Sequence, residues 1–218
     1  MEYYSQANQD IWVLELFKNY ENKNYVDVGA MDGKTFSNTY PLEKYFGWSG
    51  ICIEANKHSF ESLKICRDSI NINCAVTDYV GTCKINGNGP SCYVSENGDY
   101  EIECNTLENI LDSVNCPKTI NYLSIDIEGY EYNALKDFNF SKYFIQVITL
   151  EHNLYIEGNK NKDRLFELLS NNGFIRVIDN AVCLDSTPHV YNQPYEDWYI
   201  NVKCVDLLNN PRSKIQPR

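Results

Sequence analysis

The run Tyr25-Val26-Asp27-Val28-Gly29-Ala30-Met31-Asp32-Gly33, followed one βα unit later by Ile51-Cys52-Ile53-Glu54, constrains this chain more than any other stretch. An apolar, β-branched segment ends in a glycine turn, a helix follows, and a second apolar segment ends in a carboxylate. That order predicts the opening βαβ unit of a Rossmann-like sheet, whose ligands sit at the carboxyl ends of the strands. The glycine spacing argues against a dinucleotide. A pyrophosphate is held by bare backbone N–H groups in a G-x-G-x-x-G turn. Here the turn reads G-x-x-x-G and carries Asp27 and Asp32, which would repel phosphate. A nucleoside with a cationic centre and no phosphate fits such a turn, and S-adenosylmethionine is a ligand of that kind. Asp27, Gly29, Ala30, Asp32 and Gly33 are therefore candidate cofactor residues, with Glu54 placed to accept both ribose hydroxyls and Ala55 beside it. A turn that binds nothing remains the alternative, because acidic βα turns occur throughout α/β proteins.

With 218 residues, 43% hydrophobic and 13% aromatic, the chain is expected to form one globular domain with a full core. No apolar run approaches the roughly 20 residues of a membrane span, and the first residues lack the basic and apolar regions of a secretory signal. A cytoplasmic location is the expectation. Nine cysteines scatter through predicted strands and helices without a C-x-x-C pair or zinc spacing, which reads as reduced core thiols. Cys83 and Cys92 stand where they would face each other across a hairpin. The net charge of −11, from 30 acidic against 19 basic residues, leaves no basic footprint beyond Arg212, Lys214 and Arg218. Nucleic acid is therefore not an expected partner.

Strand-like and helix-like runs alternate, predicting a mainly parallel sheet covered on both faces. Ser5–Lys18 reads as a leading helix with Ile11, Trp12, Leu14, Leu16 and Phe17 on its apolar face. Strands are expected over 25–29, 50–54, 70–76, 122–126, 144–150, 174–178 and 198–202, and helices over 37–45, 58–66, 106–111, 131–137 and 163–171. Residues 78–103, broken by Gly81, Gly87, Gly89, Pro90 and Gly98, read as an excursion of β-hairpins over the site. From Leu207 onward the composition suggests a frayed tail.

These residues carry a family resemblance. Ser5-Gln6 with Gln9-Asp10, then the Asp27–Gly33 turn, Ser37-Asn38-Thr39, Gly47-Trp48-Ser49-Gly50 leading into Ile53-Glu54, and Asp126-Ile127-Glu128-Gly129-Tyr130-Glu131 stand in that order. The chain resembles the FkbM-type S-adenosylmethionine-dependent methyltransferases over roughly residues 4 to 203. The resemblance implies a seven-stranded class I methyltransferase sheet with its last strand antiparallel, a cofactor residue at Asn38, and O-methylation of small hydroxylated molecules, sugars among them. The segments 78–103 and 185–197 match no motif, and acceptor specificity is expected there.

Methyl transfer to an alcohol needs alignment and a base, because a sugar hydroxyl is barely ionised at neutral pH. The candidates follow the fourth and fifth strands. Asp126 stands to hold the methionine ammonium or to orient the acceptor, and Glu128 to share its side. His152, beside Glu151, is the preferred base because imidazole titrates near physiological pH. His58 and His189 read as surface residues. A divalent cation on Asp126, Glu128 and Glu151 is a possible addition but not the favoured one, since no carboxylate pair follows the fifth strand. Adenine is expected against Cys74–Asp78, with Ala75 and Val76 at its face.

The leading reading is an S-adenosylmethionine-dependent O-methyltransferase acting on a carbohydrate hydroxyl: free sugar, nucleotide sugar or glycan. Tyr93, Tyr100, Tyr155, Tyr191, Tyr195 and Trp198 would stack on sugar faces. Methylation of a lipid or polyketide hydroxyl, and a non-catalytic nucleoside- or partner-binding module of the same fold, are the alternatives. A dehydrogenase lacks its third glycine, and a nucleic-acid methyltransferase lacks both charge and an Asn/Asp-Pro-Pro-aromatic motif.

Overall fold

Alternation along the central strands divides the core into two layers. In β1 (Asn24–Val28), Val26 and Val28 pack into one cluster and Tyr25 into another. β2 (Ser49–Glu54) repeats this, with Ile51 and Ile53 on the first face and Cys52 on the second. A strand buried on both faces belongs to a sheet sandwiched between helices. A computed structural model of the chain, describing residues 4–87, 92–154, 158–183 and 193–217, has this architecture.

The main sheet adds β3 (Ile70–Asn73), β8 (Thr119–Ile125), β9 (Phe144–Glu151), β10 (Phe174–Val182) and β11 (Pro194–Asn201). Its order is β10-β11-β9-β8-β1-β2-β3. The five strands from β3 to β9 run parallel, and β11 runs antiparallel between β9 and β10. On one face lie α4 (Leu107–Ser113), α5 (Glu131–Leu135) and α6 (Asn159–Asn171), through Leu107, Leu111, Leu135, Leu165 and Leu169. On the other lie α1 (Gln9–Leu16), α2 (Tyr40–Phe46), α3 (Lys57–Cys66) and α7 (Val205–Leu208), through Trp12, Leu42, Leu63 and Leu207. Thr106 caps α4 as predicted, its Oγ1 accepting the Asn109 N–H.

Three elements depart from the sequence prediction. The leading helix begins at Gln9 rather than Ser5, because Asp10 takes the Ser5 hydroxyl (2.5 Å) and the Tyr4 N–H (3.2 Å) and folds that segment back as a cap. The predicted strand 70–76 divides: Asn73 Nδ2 donates to the Glu54 and Ala55 carbonyls, and the chain leaves the sheet at Cys74. Ala75–Val76 then forms β4 of a second sheet, ordered β4-β7-β5-β6, with β5 (Gly81–Asn86), β6 (Tyr93–Val94) and β7 (Tyr100–Asn105). This is the hairpin excursion. In the hairpin register Cys83 faces Ile102 and not Cys92. The tail is not frayed: Leu207 and Ser213 are buried, Trp12 Nε1 donates to the Ser213 carbonyl, and Gln216 Nε2 donates to the Val182 carbonyl at 2.8 Å. Among the described residues no helix is long and apolar enough to cross a membrane.

Candidate active site

A cavity of about 790 Å³ opens at the carboxyl ends of β1, β2, β8 and β9, roofed on one side by β5 and β6. Its size is that of a cofactor or drug-sized ligand site. Gly29 sets the geometry at its base. At φ +89°, a Cβ there would lie 1.7 Å from the Asp126 carbonyl oxygen, so only glycine lets the ends of β1 and β8 approach this closely.

Nine of the predicted cofactor residues line the cavity: Asp27, Gly29, Ala30, Asn38, Glu54, Ala55, Ala75, Val76 and Asp126. Glu54 accepts the Met31 N–H through Oε2 (2.8 Å) and the Asn56 N–H through Oε1 (2.6 Å), and burial raises its carboxyl to about 7. Asp27 is raised by burial against the opposing charge of Arg67, and it accepts the Thr39 hydroxyl at 2.5 Å. The hairpin closes over this end: Ala55 and Ala75 pack with Ile85, Cys92 and Val94. The insertion expected to read the acceptor thus covers the predicted nucleoside end.

Two predicted cofactor residues are not in the cavity lining. Asp32 folds back on its own turn, taking the N–H groups of Lys34 and Thr35 and the Thr35 hydroxyl. Gly33 lies against α3, where an added Cβ would stand 2.7 Å from Arg67 Cγ and Leu63 Cδ1.

At the other end stand Asp126, Glu128 and Glu151. Burial raises Asp126, against the hydrogen bond it receives from Glu151. Burial and the neighbouring charges of Asp126, Glu128 and Glu131 push Glu151 well above the ordinary carboxyl range. Glu128 is lifted to about 8 by burial and by Asp126. Beneath them Glu131 takes the Ile127 and Gly129 N–H groups and holds the turn. Among the described residues, no group of three or more His, Cys, Asp or Glu is arranged to hold a metal ion.

The structure places His152 outside the cavity. Side chains alternate faces along a strand; Glu151 opens into the cavity, and His152 is not part of its lining. His152 Nδ1 accepts the Leu154 N–H (3.2 Å), and Nε2 lies 3.4 Å from Asp197 Oδ1. Asp197 also pairs with Arg176 (3.0 Å) and Lys162 (3.8 Å). Burial opposes its charge, yet the neighbouring His152, the Asn180 N–H and the Lys162 charge bring it down to about 2. This is a structural ion-pair network.

Gln6, Met31, Phe36, Ser124, Tyr130, Asn153 and Tyr195 also line the cavity without having been singled out as site residues, apart from Tyr195 as a stacking aromatic. Gln9 Nε2 donates to the Tyr195 hydroxyl at 2.7 Å, fixing its ring. Of the predicted aromatics, Tyr93 also lines the cavity, whereas Trp198 is buried against Trp12 in the core, ring centroids 4.7 Å apart. Tyr155, Tyr191 and His189 lie outside the described residues, and His58 is exposed at the start of α3. Backbone strain concentrates here too. Apart from asparagines, the described non-glycine residues with positive φ are Met31, Phe36 and Glu128, all in the lining. Two buried acceptors, Asn38 Oδ1 and Asn153 Oδ1, have no protein partner.

Acidic walls and unpaired acceptors suit a ligand that brings a positive charge and hydrogen-bond donors, as the sulfonium, ammonium and ribose of S-adenosylmethionine do. The strand order, with one antiparallel strand next to last at its edge, and a cavity of this chemistry define a Rossmann-like class I methyltransferase fold. The Methyltransferase FkbM domain matches residues 27–176, and the chain belongs to that family of methyltransferases. Among solved structures it is similar to Methyltransferase FkbM from Methylobacillus flagellatus KT, with a TM-score of 0.53 and 15% identity. The match covers 87% of this chain and 47% of that one, so this chain spans about half its length. A precorrin-6y C5,15-methyltransferase from Geobacter metallireducens GS-15 aligns with a TM-score of 0.48 and 11% identity, over 88% of this chain and 87% of that chain. A putative rRNA-methylase from Clostridium thermocellum aligns with a TM-score of 0.48 and 12% identity, over 92% and 99%. Among curated proteins none matches by sequence.

Proposed function

We propose that the protein transfers a methyl group from S-adenosylmethionine to a hydroxyl of a carbohydrate. The observation that carries this reading is Glu128: a carboxyl in the cavity, raised to about 8, on a turn that backbone strain and Glu131 hold in place. A base is most effective when its pKa lies near the working pH, and an alcohol acceptor requires one. In this account Glu54 accepts the ribose hydroxyls, Ala55, Ala75 and Val76 flank the purine, and Asp126 accepts from the methionine ammonium. Bound S-adenosylmethionine supplies an electrophilic methyl carbon whose leaving group needs no acid. Glu128 takes the hydroxyl proton as the oxygen attacks, and the hydrogen-bonded Asp126–Glu151 pair fixes the direction of approach. Phe36 and Tyr93, both partly exposed in the lining, give the sugar face an apolar surface.

The test is product analysis. The protein is incubated with methyl-labelled cofactor and a panel of sugars, glycosides and non-sugar alcohols, and the methyl is located by NMR. Label on a sugar oxygen is the expected result. Label on nitrogen or carbon, or only on non-sugar alcohols, contradicts it.

A further inference from the structure

We infer that the cavity selects an uncharged, hydroxyl-rich acceptor and rejects one that carries a phosphate or carboxylate. The inference rests on the reading of the acceptor as a hydroxyl compound and narrows it. Among the described residues, five acidic side chains line the cavity and no Lys or Arg does. Outside the described residues the sequence holds one Lys or Arg, Arg218. The cation whose charge acts on Asp27 is Arg67, and its guanidinium is already committed to Glu43 (2.9 Å), Thr39 Oγ1 (2.9 Å) and the Gly33 carbonyl (3.0 Å). Lys136 is held at 2.5 Å by Asp78. Among the described residues the protein therefore offers an anionic acceptor no counter-ion in exchange for its lost water, a costly way to bury a charge.

The unpaired polar atoms point the same way. Asn38 Oδ1 and Asn153 Oδ1 are buried acceptors in the lining. They are satisfied by O–H or N–H donors, which the free hydroxyls of a neutral glycoside or polyol supply and an ionised phosphate or carboxylate oxygen does not. The acceptor class is thus a neutral glycoside or polyol. Sugar nucleotides, sugar phosphates and uronates fall outside it.

The experiment uses the whole chain with methyl-labelled S-adenosylmethionine and acceptors that share the same ring hydroxyls and differ at carbon 6: a neutral methyl glycoside, its 6-phosphate, the corresponding uronate and the 6-amino-6-deoxy analogue. The expected kcat/KM for each anionic member is more than tenfold below that of the neutral one. Values within tenfold, with the methyl on a sugar hydroxyl, overturn the charge rule and leave the hydroxyl reading standing. Label on the nitrogen of an uncharged or cationic acceptor, with the anionic members still disfavoured, upholds the charge rule and overturns the hydroxyl reading.

Discussion

Glu151 and His152 are adjacent in the chain, yet Glu151 opens into the cavity while His152 turns to Asp197, 3.4 Å from its Oδ1. The turn of one residue separates chemistry from scaffolding. His152→Ala is expected to leave the methyl-transfer rate within about threefold of wild type. It removes the partner of a buried carboxylate and the acceptor of the Leu154 N–H, so stability falls by roughly 1–3 kcal/mol, read by urea unfolding. A rate loss of a hundredfold with unchanged stability would restore His152 as the base.

Glu128 carries the base role in this account, and its carboxyl sits at about 8. The transfer rate is expected to rise with pH through that region, because only the ionised form accepts a proton. Glu128→Gln should lower the rate by about 10²–10⁴-fold and flatten the profile. A pH-rate curve unchanged in the variant would assign the base elsewhere.

The sheet was legible in the sequence because β1, β2, β8 and β9 are continuous apolar runs ending in glycine or carboxylates, and each such run could only be buried on both faces. The cofactor end was legible for a related reason: Gly29 and Glu54 are set by the ends of two adjacent strands, five residues in register. What local sequence could not supply was long-range pairing. Asn73 turning the chain out of the sheet, and Ser213 and Gln216 docking on the leading segment and β10, are contacts whose partners lie far away in the chain. The position of His152 away from the cavity had a readable signal. Ile125 pairs with Leu150, so Asp126 stands level with Glu151, and the face they share excludes the next residue.

Gly29→Ala tests the close approach of β1 and β8. The added Cβ meets the Asp126 carbonyl at 1.7 Å on a backbone at φ +89°, and neither strand can yield without breaking the ladder. A loss of more than about 3 kcal/mol, or no soluble folded protein, is expected from combined clash and strain. Folding at wild-type stability would contradict the described register.

Ligand-free stability should fall as pH rises. Glu54 has an ordinary value of 4.5 and is raised to about 7 when folded, so between those values the unfolded chain ionises it while the folded chain keeps it protonated. Its stabilising contribution is present below about 4.5 and lost as pH rises through 7, on the order of 3 kcal/mol. Melting temperatures at pH 5, 6, 7 and 8 without ligand should decline. The shift produced by S-adenosylmethionine should grow over the same range, since the ligand's positive charge favours ionised carboxylates. The opposite slopes would contradict the buried state of this carboxyl.

The central claim is that this cavity holds S-adenosylmethionine with Glu54 on the ribose. Calorimetric titration of the cofactor into wild type and Glu54→Ala tests it most directly. The account expects micromolar or tighter binding to wild type, about −8 kcal/mol, weakened by roughly 1.5–3 kcal/mol in a variant that remains folded by circular dichroism. Equal affinity for the two proteins would remove Glu54 from the site, and no binding to the wild type would contradict the assignment of the cavity.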